Sequence, residues 1–424
     1  MELYKNSLWK DVDFNSIIKS IPTDWNTLSV GKIIDNNPKS KIKAGDAKKN
    51  GPYPFFNCSE IQTKYIDNSL IDGENIFITT GGDFMFNLYF NGESSYSTDV
   101  WSIKIKEHNT KFIHYFLKYN FETNQQYFRG FKFKHLDKKG FQKMVLPIPS
   151  SEEQNSIVSV LSYQENIIES TKELIKNIDK RNQFMIDELL SGRLRIKEIE
   201  NGKIKFYKNS HNNWKNVEIN GENLNIPKDW VTKKIKEISS VVTGNTPSTK
   251  NKDFWGNIDG IKWISTPNLY KTDNGYIKSN TRFLTLLGSK KARICPPETL
   301  LVSCIATIGE LGLLNEHAAF NQQINAILPN VILNNKYIRY YLIKNKQKFI
   351  NFASKSVVSI MSKKLFESFE IYFPSLQKEQ DLMINFLELI SLEIQKYEKI
   401  LIQEEKKFEF LLEELMSGRL RVKV

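Results

Sequence analysis

Cysteine is scarce: Cys58, Cys295 and Cys304 are the only three in 424 residues. An odd number with no Cys-x-x-Cys pair indicates neither a disulfide framework nor a thiolate metal site, and it fits a reducing compartment. Long apolar runs are also missing. The most apolar stretch, Thr299 to Leu314, carries Glu310 and two glycines and is too short to cross a bilayer, so it reads as core strands with no membrane role. Met1 to Lys10 has mixed charge and no apolar centre, so no secretory signal is expected and the location is cytoplasmic. No Gly-x-x-x-x-Gly-Lys-Ser/Thr loop is present to cradle a nucleotide. The only Pro-Pro, Pro296-Pro297, lies between Cys295 and Glu298, unlike the Asn/Asp-Pro-Pro-Tyr/Phe segment of an amino-methylating enzyme. None of the five histidines, His108, His114, His135, His211 and His317, pairs with another ligand at metal spacing. Nothing nominates a catalytic centre.

What the chain does have is charge and repetition. Sixty Lys and Arg against 48 Asp and Glu give a net charge of +12, which favours a polyanionic partner. With 40% hydrophobic and 12% aromatic residues, packed interiors are expected, and the length suggests two domains. Ile21-Pro22-Thr23-Asp24-Trp25 returns as Ile226-Pro227-Lys228-Asp229-Trp230, an offset of 205. Lys111, Ile113, Tyr115 and Leu117 match Lys336, Ile338, Tyr340 and Leu342 at 225. Glu153-Gln154 matches Glu379-Gln380, and Ser191-Gly192-Arg193-Leu194-Arg195 matches Ser417-Gly418-Arg419-Leu420-Arg421, both at 226. Collinear matches with a one-way drift mark a tandem duplication. Most of the drift falls between the Pro-x-Asp-Trp entry and the Lys111 or Lys336 segment, so the copies share a frame and differ in the middle.

Glu152 to Leu190 has no Gly or Pro, and a 3.5-residue period picks out Ile157, Leu161, Gln164, Ile168, Thr171, Ile175, Ile178, Asn182, Met185 and Leu189. The same positions in Lys378 to Met416 are Met383, Leu387, Ile390, Ile394, Tyr397, Leu401, Glu404, Phe408, Leu411 and Leu415. This is a coiled-coil period. Each helix would be about 60 Å long at 1.5 Å per residue, and each needs a partner stripe, for which the other helix is the nearest candidate. Antiparallel pairing is expected. Ser150 with Glu153 forms a capping box at the first start, Ser375 with Lys378 does not, and Gly192 and Gly418 stand where a terminal glycine ends a helix.

Candidate phosphate-binding residues fall in three groups. Lys39, Lys41, Lys43, Lys48 and Lys49 surround a single Asp46. Arg129, Lys132, Lys134, Lys138, Lys139 and Lys143 interleave with Tyr127, Phe128, Phe131, Phe133 and Phe141, a pattern suited to phosphate contact and stacking. In the second copy Lys344, Lys346, Lys348, Lys355, Lys363 and Lys364 occupy the corresponding place. A loop containing Thr246, Ser248, Thr249 and Lys250 offers small polar groups to phosphates or base edges, and Asn321, Gln322, Gln323 and Asn325 are candidate readers of adenine edges.

Pro22-x-Asp24-Trp25 opening a variable domain, Pro149 and Glu153-Gln154 opening a long helix, Ser191 to Arg195 closing it, and all of this repeated, resemble the specificity subunit of Type I restriction-modification systems. The resemblance implies an α+β fold: two similar mixed α/β target-recognition domains separated by two long antiparallel coiled-coil helices, in a pseudo-two-fold repeat. The expected division is 1–150 and 226–375 for the recognition domains, 151–197 and 376–424 for the spacer helices, and 198–225 for a polar linker. It further implies that each domain reads half of a bipartite, asymmetric site in double-stranded DNA. The helices, through Ile157, Leu161, Ile168, Ile175, Ile178, Leu189, Met383, Leu387, Ile394, Leu401, Leu411 and Leu415, would set the spacer and serve partner docking. Two methyltransferase subunits and restriction or translocase subunits are the implied partners. S-adenosylmethionine, ATP and Mg²⁺ would sit on those subunits, with none bound by this chain. The competing readings are a self-contained nicking or restriction endonuclease with duplicated DNA-binding halves, and a purely structural coiled-coil protein.

Overall fold

The computed structural model describes residues 3–14, 17–130, 134–199, 202–256, 258–353 and 360–423. They form two compact units, Met1–Lys172 with Lys399–Val424, and Glu173–Glu398. Two long helices, α1 (Ser151–Ser191) and α2 (Gln377–Met416), contribute residues to both units. Each is uninterrupted by Gly or Pro, and each ends at a glycine with positive φ, Gly192 at 75° and Gly418 at 73°, the left-handed cap that a Cβ disfavours.

In the first unit an antiparallel sheet runs in the order Asn87–Asn91, Glu74–Thr79, Val100–Ile105, Ile34–Asn36. Its apolar side chains Ile76, Ile78 and Ile103 pack on the amphipathic helix Thr110–Tyr119 through Phe112, Ile113 and Phe116. Asn109 caps that helix, accepting from Phe112 N at 3.0 Å. Leu146 and Ile148 of the strand Val145–Ile148 join the same core, as do Ile157 and Leu161 of α1 and Leu415 of α2. A second small sheet places Tyr53–Phe56 parallel to Ser95–Tyr96 and antiparallel to Lys64–Ile66.

The second unit repeats this plan. Its strands Leu311–Leu313, Leu300–Ser303, Ile324–Ile327 and Val241–Thr243 stand in the same order, and the hairpin of Thr272–Asp273 and Tyr276–Ile277 extends that sheet. The second sheet again has a parallel pair, Ile261–Ile264 with Ala318–Phe320, flanked by Arg282–Leu284, and it gains Trp255–Gly256 and Ile294–Cys295 at its edges. The length difference between the copies is therefore spent on decorating two shared sheets. Each unit shows both helix ends in antiparallel register. In the first, Glu153 near the start of α1 meets Arg421 just past the end of α2, and further in Gln164 Nε2 donates to Glu404 O at 3.2 Å. In the second, Arg195 just past the end of α1 meets Glu379 near the start of α2, and Asn182 Nδ2 donates to Ile390 O at 2.8 Å. The polar interruptions Gln164, Asn182 and Glu404 are thus satisfied across the helix pair, while Thr171 Oγ1 donates to Ile167 O within α1.

The expected linker 198–225 is corrected by the structure. Leu194–Glu198 pairs with Ile204–Lys208, and Trp214–Ile219 pairs with Glu222–Pro227. The second hairpin turns on Asn220-Gly221, both at positive φ (55° and 86°), the dipeptide that a tight two-residue hairpin turn selects. Lys and Asn at the outward positions gave this segment its polar look, while Ile219 and Ile226 are buried. The first unit has the same pair of features, Trp9–Phe14 against Ile17–Pro22, and Leu3–Lys5 against Leu420–Val422.

Candidate nucleic-acid interface

The repeated motifs converge on one arrangement in each unit. In the first, the buried Arg421 guanidinium donates from Nη2 to Glu153 Oε2 at 2.8 Å and to Asp24 Oδ2 at 2.7 Å. Its centre lies 5.6 Å from the Trp25 ring, and Trp25 Nε1 donates to Glu153 Oε2 at 3.1 Å. Gly418 lies so close to Pro22 that a Cβ would come within 2.5 Å of Cγ. In the second unit Arg195 holds Glu379 (2.6 Å) and Asp229 (2.7 Å) and lies over Trp230, while Gly192 packs on Pro227. Burial alone would lower the pKa of each arginine, but its bonds to the two carboxylates outweigh that and raise it. The Arg421 hydrogen bond holds Asp24 below the usual carboxylate range. In both clusters the buried arginine is paired with two carboxylates of its own chain, so they read as structural clasps. Glu153, expected to close a capping box, serves the clasp instead; only the Ser150 half of the box forms, with Glu153 N donating to Ser150 Oγ at 3.2 Å.

The stripe residues have also been used internally. Ile157, Leu161, Ile168, Leu411 and Leu415 lie in the first core, and Ile178, Leu189, Met383 and Leu387 are buried in the second unit. Ile175, Ile394 and Leu401 are half-buried. A separate subunit would meet other faces of α1 and α2, since these side chains already cover their own chain.

The two basic groups of the first copy come together. Lys39, Lys41, Lys43 and Lys49 are exposed on a loop whose start is fixed by Asn37, which donates to Asn75 Oδ1 (2.7 Å) and Ser102 Oγ (2.8 Å). Lys138 Nζ lies 5.0 Å over the Trp101 ring, and Trp101 Nε1 donates to Asn36 Oδ1 at 2.7 Å. Partial burial, and then the positive charge of Lys39, lower the Lys138 pKa. The like charge of Lys39 is felt at Lys138, and a phosphate would relieve that field. Lys139 and Lys143 are exposed on the same short segment, whereas Lys48 pairs with Asp67, Lys134 Nζ donates to Asp83 O, and Arg129 Nε donates to Gln126 O. Lys132 lies outside the described residues.

The basic group of the second copy does not form a comparable face. Lys344 pairs with Asp187, Lys346 with Glu310, Lys348 with Glu222 and Lys363 with Glu367. Asp187, Glu310 and Glu222 come from distant segments, and Glu367 lies just past the end of the stretch, which is why it looked unopposed in sequence. Burial pushes the Lys344 amine down to about 8. Lys364 is exposed, and Lys355 lies outside the described residues.

The two polar candidates of the second copy are brought together instead. Thr246 Oγ1 donates to Gln322 Oε1 at 2.6 Å, and Asn245 N donates to Phe320 O at 2.9 Å. A Cβ on Gly244 would overlap the carbonyl oxygens of Phe320 and Asn321, so only glycine permits this approach. Ser248, Thr249, Lys250 and Gln322 are exposed. Asn325 is buried, accepting from Thr243 Oγ1 and donating to Cys304 Sγ, and Gln323 accepts from Thr266 Oγ1; Asn325 is a core residue with no base-reading role. Sequence reading missed the neighbouring run Lys290, Lys291 and Arg293. Asn245 Nδ2 donates to Lys291 O (2.7 Å), and Arg293 N donates to Asn245 Oδ1 (2.8 Å), which latches that run beside the loop. Three cations in four residues were the available signal. Among the described residues no group of three or more His, Cys, Asp or Glu is placed to hold a metal ion, and no helix is long and apolar enough to cross a membrane.

Residues 22–180 and 227–404 match the family model described as the Type I restriction modification DNA specificity domain. The Type I restriction enzyme MjaIX specificity subunit of Methanocaldococcus jannaschii is 33% identical over 160 residues, covering 37% of this chain and 36% of that protein. The chain thus spans about a third of the length of that relative, but it aligns with 98% of the MjaVIII specificity subunit of the same organism, at 23% identity over its own full length. The crystal structure of the Type I restriction-modification S subunit from M. genitalium has the same fold, with a TM-score of 0.60 at 13% identity, covering 92% of this chain and 96% of that one.

Proposed function

Because the chain belongs to the Type I restriction-modification DNA specificity family, we propose that it is the sequence-reading subunit of such a complex. Each unit reads one half of a bipartite, asymmetric site in double-stranded DNA, and α1 and α2 set the unread gap and dock two methyltransferase subunits. Restriction or translocase subunits join that assembly in the cytoplasm. S-adenosylmethionine, ATP and Mg²⁺ belong to the partners, and this chain performs no catalysis itself. The observation that carries the reading is the duplication: two sheets of identical strand order whose variable decorations differ, as two readers of different sequences require. In the first unit Lys39 and Lys138 supply phosphate contacts, joined by Lys41, Lys43, Lys49, Lys139 and Lys143. In the second the surface is the loop with Ser248, Thr249 and Lys250, together with Gln322 and Lys290 to Arg293. Phosphate contacts fix the register and polar groups such as Gln322 read base edges.

The test is sequencing of adenine methylation in the host genome with and without this gene. The expected result is a two-part motif with unlike halves that vanishes on deletion. An unchanged methylation pattern in a host whose methyltransferase subunits are expressed would overturn the proposal, as would plasmid cleavage by the pure chain with Mg²⁺.

A further inference from the structure

The surface of the second unit carries an apolar feature that its basic surroundings do not explain. Leu286 and Leu287 open the short helix Leu286–Ser289 and are 76% and 56% exposed. Ile258, also 76% exposed, is close by: a methyl group on Gly256 would lie 3.8 Å from both Ile258 O and Thr285 Cγ2. The helix is seated rigidly. Thr285 caps it by accepting from Gly288 N at 3.1 Å, and its own hydroxyl donates to Asp253 O at 2.5 Å. Thr285 N donates to Phe254 O, and Gly288 packs against that same carbonyl so closely that a side chain would overlap it. Trp255, next in the chain, donates from Nε1 to Ser248 O at 3.1 Å, which ties the seat to the loop described above. The leucine pair is therefore held out on a fixed mount beside Lys290, Lys291 and Arg293, with Lys250 and Lys252 on the adjoining segments.

Resting on the DNA-binding reading above, we propose that Leu286 and Leu287 form an apolar wedge that inserts between base pairs of the half-site bound by the second unit, kinking the duplex there. Charge decides the occupant. An apolar protein surface laid over this face would have to desolvate five cations against two acids on the same segments, Asp253 and Asp259, whereas a duplex presents phosphates to the cations and an apolar stack to the leucines. Minor-groove proteins use such side chains in this way: unstacking a step costs free energy that is offset by the wider contact with bent DNA. A flexible loop could not hold a step open, but a capped helix wedged against a carbonyl can. The kink adds a shape-dependent component to specificity, favouring a pyrimidine–purine step at the insertion point.

The test uses the full chain assembled with its methyltransferase subunits and a duplex carrying the mapped site. Dyes at the duplex ends report bending, and 2-aminopurine placed at each half-site position reports unstacking. The wild-type complex is expected to shorten the end-to-end distance and to brighten one step in the second unit's half-site. Leu286→Ala with Leu287→Ala should abolish both signals and weaken specific binding by roughly ten- to a hundredfold, the loss of buried leucine surface. Non-specific affinity and salt dependence should be unchanged, because no cation has been altered. Leu286→Met with Leu287→Met should keep the bend, separating lost insertion from lost folding. A double-alanine complex that bends and unstacks like the wild type overturns the wedge, as does a defect in binding the methyltransferase subunits. A wild-type complex that binds no duplex overturns the underlying reading, and the wedge with it.

Discussion

Replacing Arg421 by methionine removes the centre of the first clasp while keeping most of its volume. Which carboxylate then matters follows from exposure. The Asp24 side chain is 64% accessible and relaxes into water, but that of Glu153 is 5% accessible and is left with Trp25 Nε1 as its main neighbour. Stranding one partner of a buried ion pair costs about 3–5 kcal/mol, far more than losing an exposed one, at about 0–1 kcal/mol. Amide exchange protection of the sheet Glu74–Thr79 and Val100–Ile105 should therefore fall by at least about a hundredfold, while the second unit keeps its own clasp as an internal control. Removing Glu153 as well, as Arg421→Met with Glu153→Met, should restore most of the loss, since both charges are then gone. Trp25 Nε1 would lose its acceptor, which Trp230 Nε1 already lacks in the other unit. The acid limb adds a second reading. The Asp24 pKa is lowered in the folded state, so its contribution is present above the unfolded value near 3.9 and is lost as pH falls through the folded one. In the methionine variant that part of the acid dependence should be absent. A loss below about 1 kcal/mol for the single substitution would refute the clasp as a stabilising element.

Gly418→Ala places a Cβ on Pro22 at positive φ and should destabilise the first unit by at least about 1–2 kcal/mol in denaturant melts. Lys39→Glu with Lys138→Glu should lower the log-log salt slope of DNA binding by about 0.9 for every phosphate that is no longer neutralised, whereas Lys346→Glu, whose partner is Glu310, should leave it unchanged. Filter binding across a salt series distinguishes the two. Four residues added to both α1 and α2 should shift the preferred gap by about one or two base pairs with unaltered half-sites. Methylation mapping that finds changed half-sites at an unchanged gap would refute the helices as the ruler.

The frame was legible because it is periodic and written twice. Two helices of 41 and 40 residues were visible from their stripes to within a residue or so, and Gly192 and Gly418 marked their ends. The clasps were visible only as motifs. Asp24, Glu153 and Arg421 lie hundreds of residues apart, and no local pattern says that a guanidinium will join the other two. The basic groups show the same limit from the other side. Lys39 and Lys138 reinforce each other only once folded, and Lys346 and Lys348 are neutralised by Glu310 and Glu222, which sequence adjacency could not reveal. The segment 198–225 misled because its outward lysines and asparagines hid an Asn-Gly hairpin. Leu286 and Leu287 gave no warning, since an isolated apolar pair reads as core until its exposure is known.

The strand Leu3–Lys5 pairs with Leu420–Val422 just as Ile204–Lys208 pairs with Leu194–Glu198, so one clasp is closed by continuous chain and the other by segments from opposite ends of the sequence. The connectivity is therefore cyclic, with two equivalent seams of which one happens to be open. A circular permutant joined across the first seam and cut between residues 198 and 204 should fold to the same two units. A half-length chain ending after Arg195 would carry one Pro-x-Asp-Trp entry and one closing arginine that belong to different units. Two such chains could close each other reciprocally, giving a symmetric dimer and with it a palindromic target, from which gene duplication would release the two halves to diverge.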